Sequence, residues 1–163
     1  MKRDLATLTV EEQMYEARRR TERLIQVRDR SEAELRDRLG RAGFSASIVE
    51  REVAKALDFG LVDNERFASL YVAGKKHRGW GRLRIEKELR RFGIELRSFE
   101  GYPEAFFTEQ DELARAQSCL ERFRPRSADV QAARYRRLIS RGYSNETARA
   151  ALSLHSELTL QAG

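Results

Sequence analysis

Three glycines, Gly43, Gly93 and Gly142, constrain what this chain can fold into, because each marks the same point of a recurring pattern. They stand 50 and 49 residues apart. A leucine lies four residues before each (Leu39, Leu89, Leu138) and a large apolar residue one after (Phe44, Ile94, Tyr143). That spacing reads as the last turn of an amphipathic helix. The glycine ends it in a left-handed conformation, and the apolar residue beyond packs back. Six residues past each glycine come Val49, Phe99 and Ala148, which face the same way from a following helix. Repetition near fifty residues predicts units too small to bury their own faces, stacked in a row. The expected fold class is all-α, an elongated tandem array of three three-helix units with about nine short helices. The units span 9–60, 61–108 and 109–154, with a flexible start over 1–8 and a frayed tail over 155–163. Arg134 breaks the register where Leu35 and Ile85 are apolar, and Pro103 breaks it where Val53 and Leu152 are.

Helix starts are legible in the same way. Thr9 with Glu12, and Ser31 with Glu34, have the spacing of capping boxes. Ser45, Asp63 and Ser144 are expected N-caps, and Ser127 or Asp129 opens the helix before Gly142. Met14, Ala17, Leu24 and Ile25 can share the face of a first helix. Phe67, Leu70, Tyr71 and Gly74 keep helical spacing, as do Ile85, Leu89 and Phe92. After Gly93 the pattern weakens, because Gly101 and Pro103 interrupt it. A proline inside a helix removes a hydrogen bond and clashes with the preceding turn, so a helix here should be short, kinked or late. No segment alternates with period two.

Charge narrows the class of partner. The formal charge is +6 and the sequence pI about 9.8, a balance suited to meeting a polyanion or an acidic surface. Arginine outnumbers lysine 27 to 5. Its planar fork favours phosphate and carboxylate, though codon bias in a GC-rich genome explains the excess equally well. Cys119 is the only cysteine, which excludes a disulfide framework and fits a reducing cytoplasm. The N-terminal MKRDLATLTVEEQ has no signal-peptide core, and no apolar run approaches the roughly 20 residues of a membrane helix. A cytoplasmic monomer with no membrane partner is the expectation.

The densest positive cluster is Lys75, Lys76, Arg78, Arg82 and Arg84, within ten residues and with no acid among them. Such a cluster repels itself unless phosphate or acidic side chains offset it. Trp80, in its midst, can stack on a base or fill a partner's pocket. The plainer alternative is a tryptophan packed internally among solvated cations. Arg134, Arg137 and Arg141 form a second stripe at helical spacing, and Arg18, Arg19, Arg20 and Arg23 a third, weaker cluster. Catalysis finds no support. His77 and His155 lack metal-ligand spacing, Cys119 reads as a core thiol, and Gly79-Trp80-Gly81 has neither the strand nor the ending of a phosphate loop. The expectation is no catalytic residue, no metal and no cofactor.

LVDNERFASLYV followed by GWGRLRIEKELRRFGI resembles the RecX family of bacterial recombination regulators. The resemblance is carried by an aspartate-led helix with Phe67-Ala68, a Gly-x-Gly turn, and then Arg84-Ile85, Glu88-Leu89 and Gly93-Ile94. SEAELRDRLGRAGF and ISRGYSNETARAAL resemble the family's first and last unit motifs, so the likeness covers roughly 15–152. It departs at ELRSFEGYPEAFF, where the family has an unbroken helix, and at Arg134. The resemblance implies tandem three-helix units and no enzymatic activity. It also implies binding to the RecA recombinase in the groove of its filament on DNA, usually with inhibition of filament growth, ATP hydrolysis and strand exchange. DNA recombination, repair and the SOS response are the implied setting. Some members bind DNA directly, single-stranded or double-stranded. Two other readings stay open: a freestanding DNA-binding protein built on helix-turn-helix-like pieces, and an arginine-rich scaffold.

Overall fold

A computed structural model of the chain describes residues 5–161. Among the described residues there are eight α-helices and no strand. They are α1 (Val10–Val27), α2 (Glu32–Arg41), α3 (Ala46–Asp58), α4 (Asn64–His77), α5 (Arg82–Arg91), α6 (Glu109–Glu121), α7 (Val130–Arg141) and α8 (Asn145–Gln161), with short 3-10 turns at Leu5–Thr7 and Leu96–Ser98. The count is eight rather than nine because 95–108 forms no third helix in its repeat. After the 3-10 turn the backbone folds through successive turns, with Ala105 N–H on the Gly101 carbonyl and Phe106 and Phe107 N–H on that of Pro103. Proline lacks the amide a continuing helix needs there. At the two ends, Leu5–Thr7 is a helical turn with Leu5 packed against the first core, and α8 runs on to Gln161. Residues 1–4 and 162–163 lie outside the described residues.

Local sequence accounts for most helix ends. Thr9 and Glu12 form a reciprocal capping box. Asp63 accepts from the amides of Glu65 and Arg66, Ser144 from Thr147, and Asp129, not Ser127, from Ala132. Ser31 accepts from the Glu34 amide at 3.1 Å, but the box is only half made. Glu34 turns to Arg28 and Arg30 instead, whose charges outweigh its burial and hold its carboxyl below the ordinary value. In α4 the buried face is Phe67, Ala68 and Val72, whereas Leu70 is 58% exposed. Periodicity places Leu70 inside because it sits one helical step from Phe67; Val72, one turn on from Ala68, takes the buried place.

The chain divides into two compact units. The first holds residues up to Ala68 together with Phe92–Ile94, and the second Ser69–Arg91 and the chain from Glu95 on. The first is built on Ala17, Leu35, Leu39, Val53, Ala56 and Val62, and also buries Glu52. The second has a cluster of Ala116, Leu120, Leu138, Tyr143, Ala148 and Ala151 between α6, α7 and α8.

One joint recurs, once inside each unit. In the first, the start of α2 meets the segment Phe92–Ile94: Ser31 Oγ donates to the Phe92 carbonyl at 2.7 Å, and Ala33 Cβ fills the space beside Gly93. In the second, the start of α5 meets the end of α7. Gly81 N–H donates to the Arg141 carbonyl at 2.8 Å and Leu83 N–H to the Gly142 carbonyl at 3.0 Å. Ser31 and Gly81 are equivalent when the repeats are registered on Gly43 and Gly93. Each joint sets amides or a hydroxyl at one helix start against carbonyls left unpaired at another helix end.

Candidate functional site

The predicted cationic turn connects α4 to α5. Gly79, at φ 73, lets the chain reverse, and Trp80 N–H returns to the Lys75 carbonyl at 3.1 Å. The indole is half-buried and held between two cations, with Lys75 Nζ 4.3 Å and Arg84 Cζ 3.9 Å from its centroid. Burial, and then the charge of Arg78, pull the Lys75 ammonium below the ordinary lysine value. Trp80 is thus engaged internally, and its carbonyl accepts from Arg115.

The turn has acids after all, supplied from distant sequence. Lys76 pairs with Asp111 at 2.5 Å and donates to the Phe106 carbonyl at 2.9 Å. Burial raises the Asp111 carboxyl, but Lys76 and Arg115 more than offset that and hold it below the ordinary value. Arg82 binds Glu86 at 2.8 Å and donates to the hydroxyl of Tyr102, which itself donates to Glu86 at 2.5 Å. Self-repulsion therefore argues for an outside anion only at Lys75, Arg78 and Arg84. Two of the five cations are structural.

The second predicted cluster lies beside the first. Arg141 Nη1 donates to the Arg78 carbonyl at 3.1 Å, and Arg84 Nη1 to that of Ser140 at 3.5 Å. Arg137 sits over the Phe123 ring, 5.4 Å from its centroid, with its Nε buried and without a hydrogen-bond partner. The Nε of Arg134, which stands where the other repeats are apolar, is likewise buried and unpartnered. Arg78, Arg137 and Arg141 line one cleft of about 590 Å³ within the second unit, while Trp80, Arg82, Arg84 and Arg134 do not line it.

Arg115 of α6 and Arg122, which caps its end, also line this cleft, and the sequence alone does not single them out. They are seven residues apart, so the stripe is visible, but nothing local links α6 to the turn after α4. Arg115 is held by Glu112, whose own carboxyl burial pushes up. Arg122 is exposed. Among the described residues no group of three or more histidine, cysteine, aspartate or glutamate side chains could hold a metal ion, and no helix is long and apolar enough to cross a membrane.

Comparison with known proteins gives one family throughout. The model of the RecX first three-helix domain matches residues 17–55, and that of the RecX second three-helix domain matches 63–95. The chain is 27% identical over 139 residues to the regulatory protein RecX of Caldanaerobacter subterraneus subsp. tengcongensis, covering 85% of this chain and 70% of that protein. It is 33% identical over 109 residues to that of Salmonella typhimurium, covering 61% and 66%. The crystal structure of RecX from Lactobacillus salivarius superposes with a TM-score of 0.79 at 14% identity, over 90% of this chain and 98% of that one. A second crystal structure of regulatory protein RecX gives 0.73 at 19% identity, over 91% and 77%. At such identities the two structures speak to the fold alone.

Proposed function

The chain belongs to the RecX family of regulatory proteins, and we propose on that footing that it binds the RecA–DNA filament and restrains the recombinase. The effect is stoichiometric, with no chemistry of its own. The observation that carries this reading is the coincidence of the two family matches with α1–α3 and with α4–α5, the helices that form the joint and the cationic turn. The surface offered to the filament is the part of the two predicted clusters that has no ion pair among the described residues: Lys75, Arg78 and Arg84 at the turn, Arg134, Arg137 and Arg141 on α7.

The test is ATP hydrolysis and strand exchange by RecA on single-stranded DNA with this protein added. Both should fall with dose. Unchanged rates at several-fold excess over recombinase would count decisively against the reading. Site assignment needs a variant that spares the internal ion pairs, so Lys76 and Arg82 are left alone. Reversing Arg78, Arg84 and Arg141 to glutamate should remove the inhibition with helical content intact. A freestanding DNA-binding protein would instead lose all action once salt screens its contact with naked DNA.

A further inference from the structure

A third helix end is built like those of the two joints, yet no helix start meets it among the described residues. Gly43, at φ 95, ends α2 as Gly142, at φ 91, ends α7. Phe44 N–H then returns to the Leu39 carbonyl and Tyr143 N–H to that of Leu138. At each joint the residue before the glycine offers its carbonyl, Phe92 to Ser31 Oγ and Arg141 to Gly81 N–H. Its counterpart before Gly43 is Ala42, whose carbonyl receives no hydrogen bond among the described residues. The space over the glycine differs in the same way. A Cβ on Gly93 would run into Ala33 Cβ, and one on Gly142 into Arg84 Cβ, both at helix starts. On Gly43 it would touch Leu5 Cδ1 at 3.6 Å, an ordinary contact with the tip of a side chain.

A cleft of about 790 Å³ lies beside this end, walled by Leu5, Leu8 and the α1 residues Tyr15, Arg19, Arg20 and Arg23. In the second unit the matching helix, α6, faces the turn Lys76–Gly79, which leads into the start of α5. Registered on Gly43 and Gly142, Arg23 of the first wall is Arg122 of the second. The first cleft therefore stands where a lead-in to a helix start runs in the second unit, and the Leu5–Thr7 turn covers part of it.

Charge and bulk define what fits there. In the second unit the arriving Lys76 pairs with Asp111 of α6. In the first, α1 presents arginines instead. Arg19 has Glu16 at 3.9 Å, but Arg20 and Arg23 form no ion pair among the described residues. A complementary lead-in is acidic, because guanidinium forks match carboxylates. The cap residue is small, serine in one joint and glycine in the other, because it lies against the facing helix end. The chain's own third helix of this class has neither property. α7 carries Val130 at the position of Ser31 and Gly81, with Arg124 and Arg126 ahead of it. That argues against a second copy as the occupant.

We propose that the end of α2 takes the start of an α-helix from another protein, led in by acidic residues and capped by serine or glycine. The Ala42 carbonyl accepts from the cap, Arg20 and Arg23 hold the acids, and the Leu5–Thr7 turn moves aside. No residue of the surface offered to the filament takes part and the test needs no recombinase, so either reading can fail alone. The probe is a fluorescently labelled peptide in which a run of glutamates leads into Ser-Glu-Ala-Glu, the opening of α2, on an alanine-rich helix. Its anisotropy is followed against the full chain. Arg20→Glu with Arg23→Glu, both exposed, should weaken binding about tenfold. Arg51→Glu with Arg149→Glu, exposed and outside the cleft, makes the same change of net charge and should shift affinity less than about twofold. Leu5→Ala should strengthen binding, because less has to move. Valine in place of the peptide's serine should weaken binding about tenfold and glycine should not, a contrast that charge attraction alone does not produce. The proposal is overturned if the peptide does not bind, if the valine peptide binds as well as the serine one, if Leu5→Ala weakens binding, or if the cleft pair behaves like the control. A dimer in sedimentation that the cleft pair dissolves would give this end to a second copy and overturn it equally.

Discussion

Gly81 and Gly142 meet backbone to backbone: a Cβ on Gly81 would lie 2.4 Å from the carbonyl carbon and oxygen of Gly142. From the other side, a Cβ on Gly142 would lie 2.3 Å from that of Arg84. Gly142 also sits at φ 91, so it answers both a conformational and a spatial demand.

Alanine at either position should therefore lower stability by about 1–3 kcal/mol, the usual range for forcing atoms into filled space. Because both substitutions disturb the same joint, the effect of the double variant should fall short of the sum. Gly40, inside α2 with nothing within 4 Å of where a Cβ would stand, is the control. There alanine should be neutral or stabilising by up to about 1 kcal/mol. Urea midpoints at constant m decide the matter, and a wild-type midpoint for Gly81→Ala would remove the joint as an energetic feature.

Ser31 is the counterpart of Gly81 and does two jobs, capping α2 and donating to Phe92. Ser31→Ala should cost about 1–2 kcal/mol. Ser45 caps α3 more loosely, at 3.5 Å, with no distant acceptor, so Ser45→Ala should cost less. Equal losses from the two would mean that the bond to Phe92 contributes nothing.

Much of this architecture is legible in the amino-acid sequence. The glycine register, the caps at Thr9, Ser45, Asp63 and Ser144 and the all-α class follow from rules that act within one helical turn. Where sequence and fold part, the causes differ. Glu34 leaves its capping box for Arg28 and Arg30, competing partners only six and four residues back, whereas Leu70 loses its buried place to Val72 because tertiary neighbours decide it. The site is legible as two basic clusters but not as one cleft. Asp111 neutralises Lys76 from 35 residues away, and α6 with its cap contributes Arg115 and Arg122, pairings that no spacing rule reaches.

Lys76 and Arg78 are two residues apart and should respond in opposite ways. Lys76→Ala removes the pair to Asp111 and the bond to Phe106, and should cost about 1 kcal/mol, allowing for solvent screening. Arg78→Ala, exposed, should change stability by less than about 0.5 kcal/mol yet weaken function. The first loss depends on pH. Because the folded-state carboxyl of Asp111 is held below its ordinary value of 3.8, the stabilisation is fully present above that value and drains away as pH falls through the folded one. The gap between thermal melts of wild type and Lys76→Ala should narrow in acid, leaving only the part due to the bond to Phe106. A gap that does not narrow would show that the pair with Asp111 contributes nothing.

Glu52 presents the reverse case. It is fully buried in the first core, and neither carboxylate oxygen has a hydrogen-bond partner. Arg18 approaches only to 3.6 Å. Burial pushes its carboxyl above the ordinary 4.5. A raised folded-state value means that its stabilising contribution is present below 4.5 and is lost as pH rises through the folded value, leaving a penalty at neutrality. Arg18 is partly exposed and lies over Phe59, so it can rehydrate when its partner loses charge. Glu52→Gln, nearly isosteric, should therefore raise the melting temperature at about pH 7, with the gain shrinking as pH falls toward 4.5. A variant that melts below wild type at neutral pH would mean that the pair with Arg18 outweighs the burial of the charge.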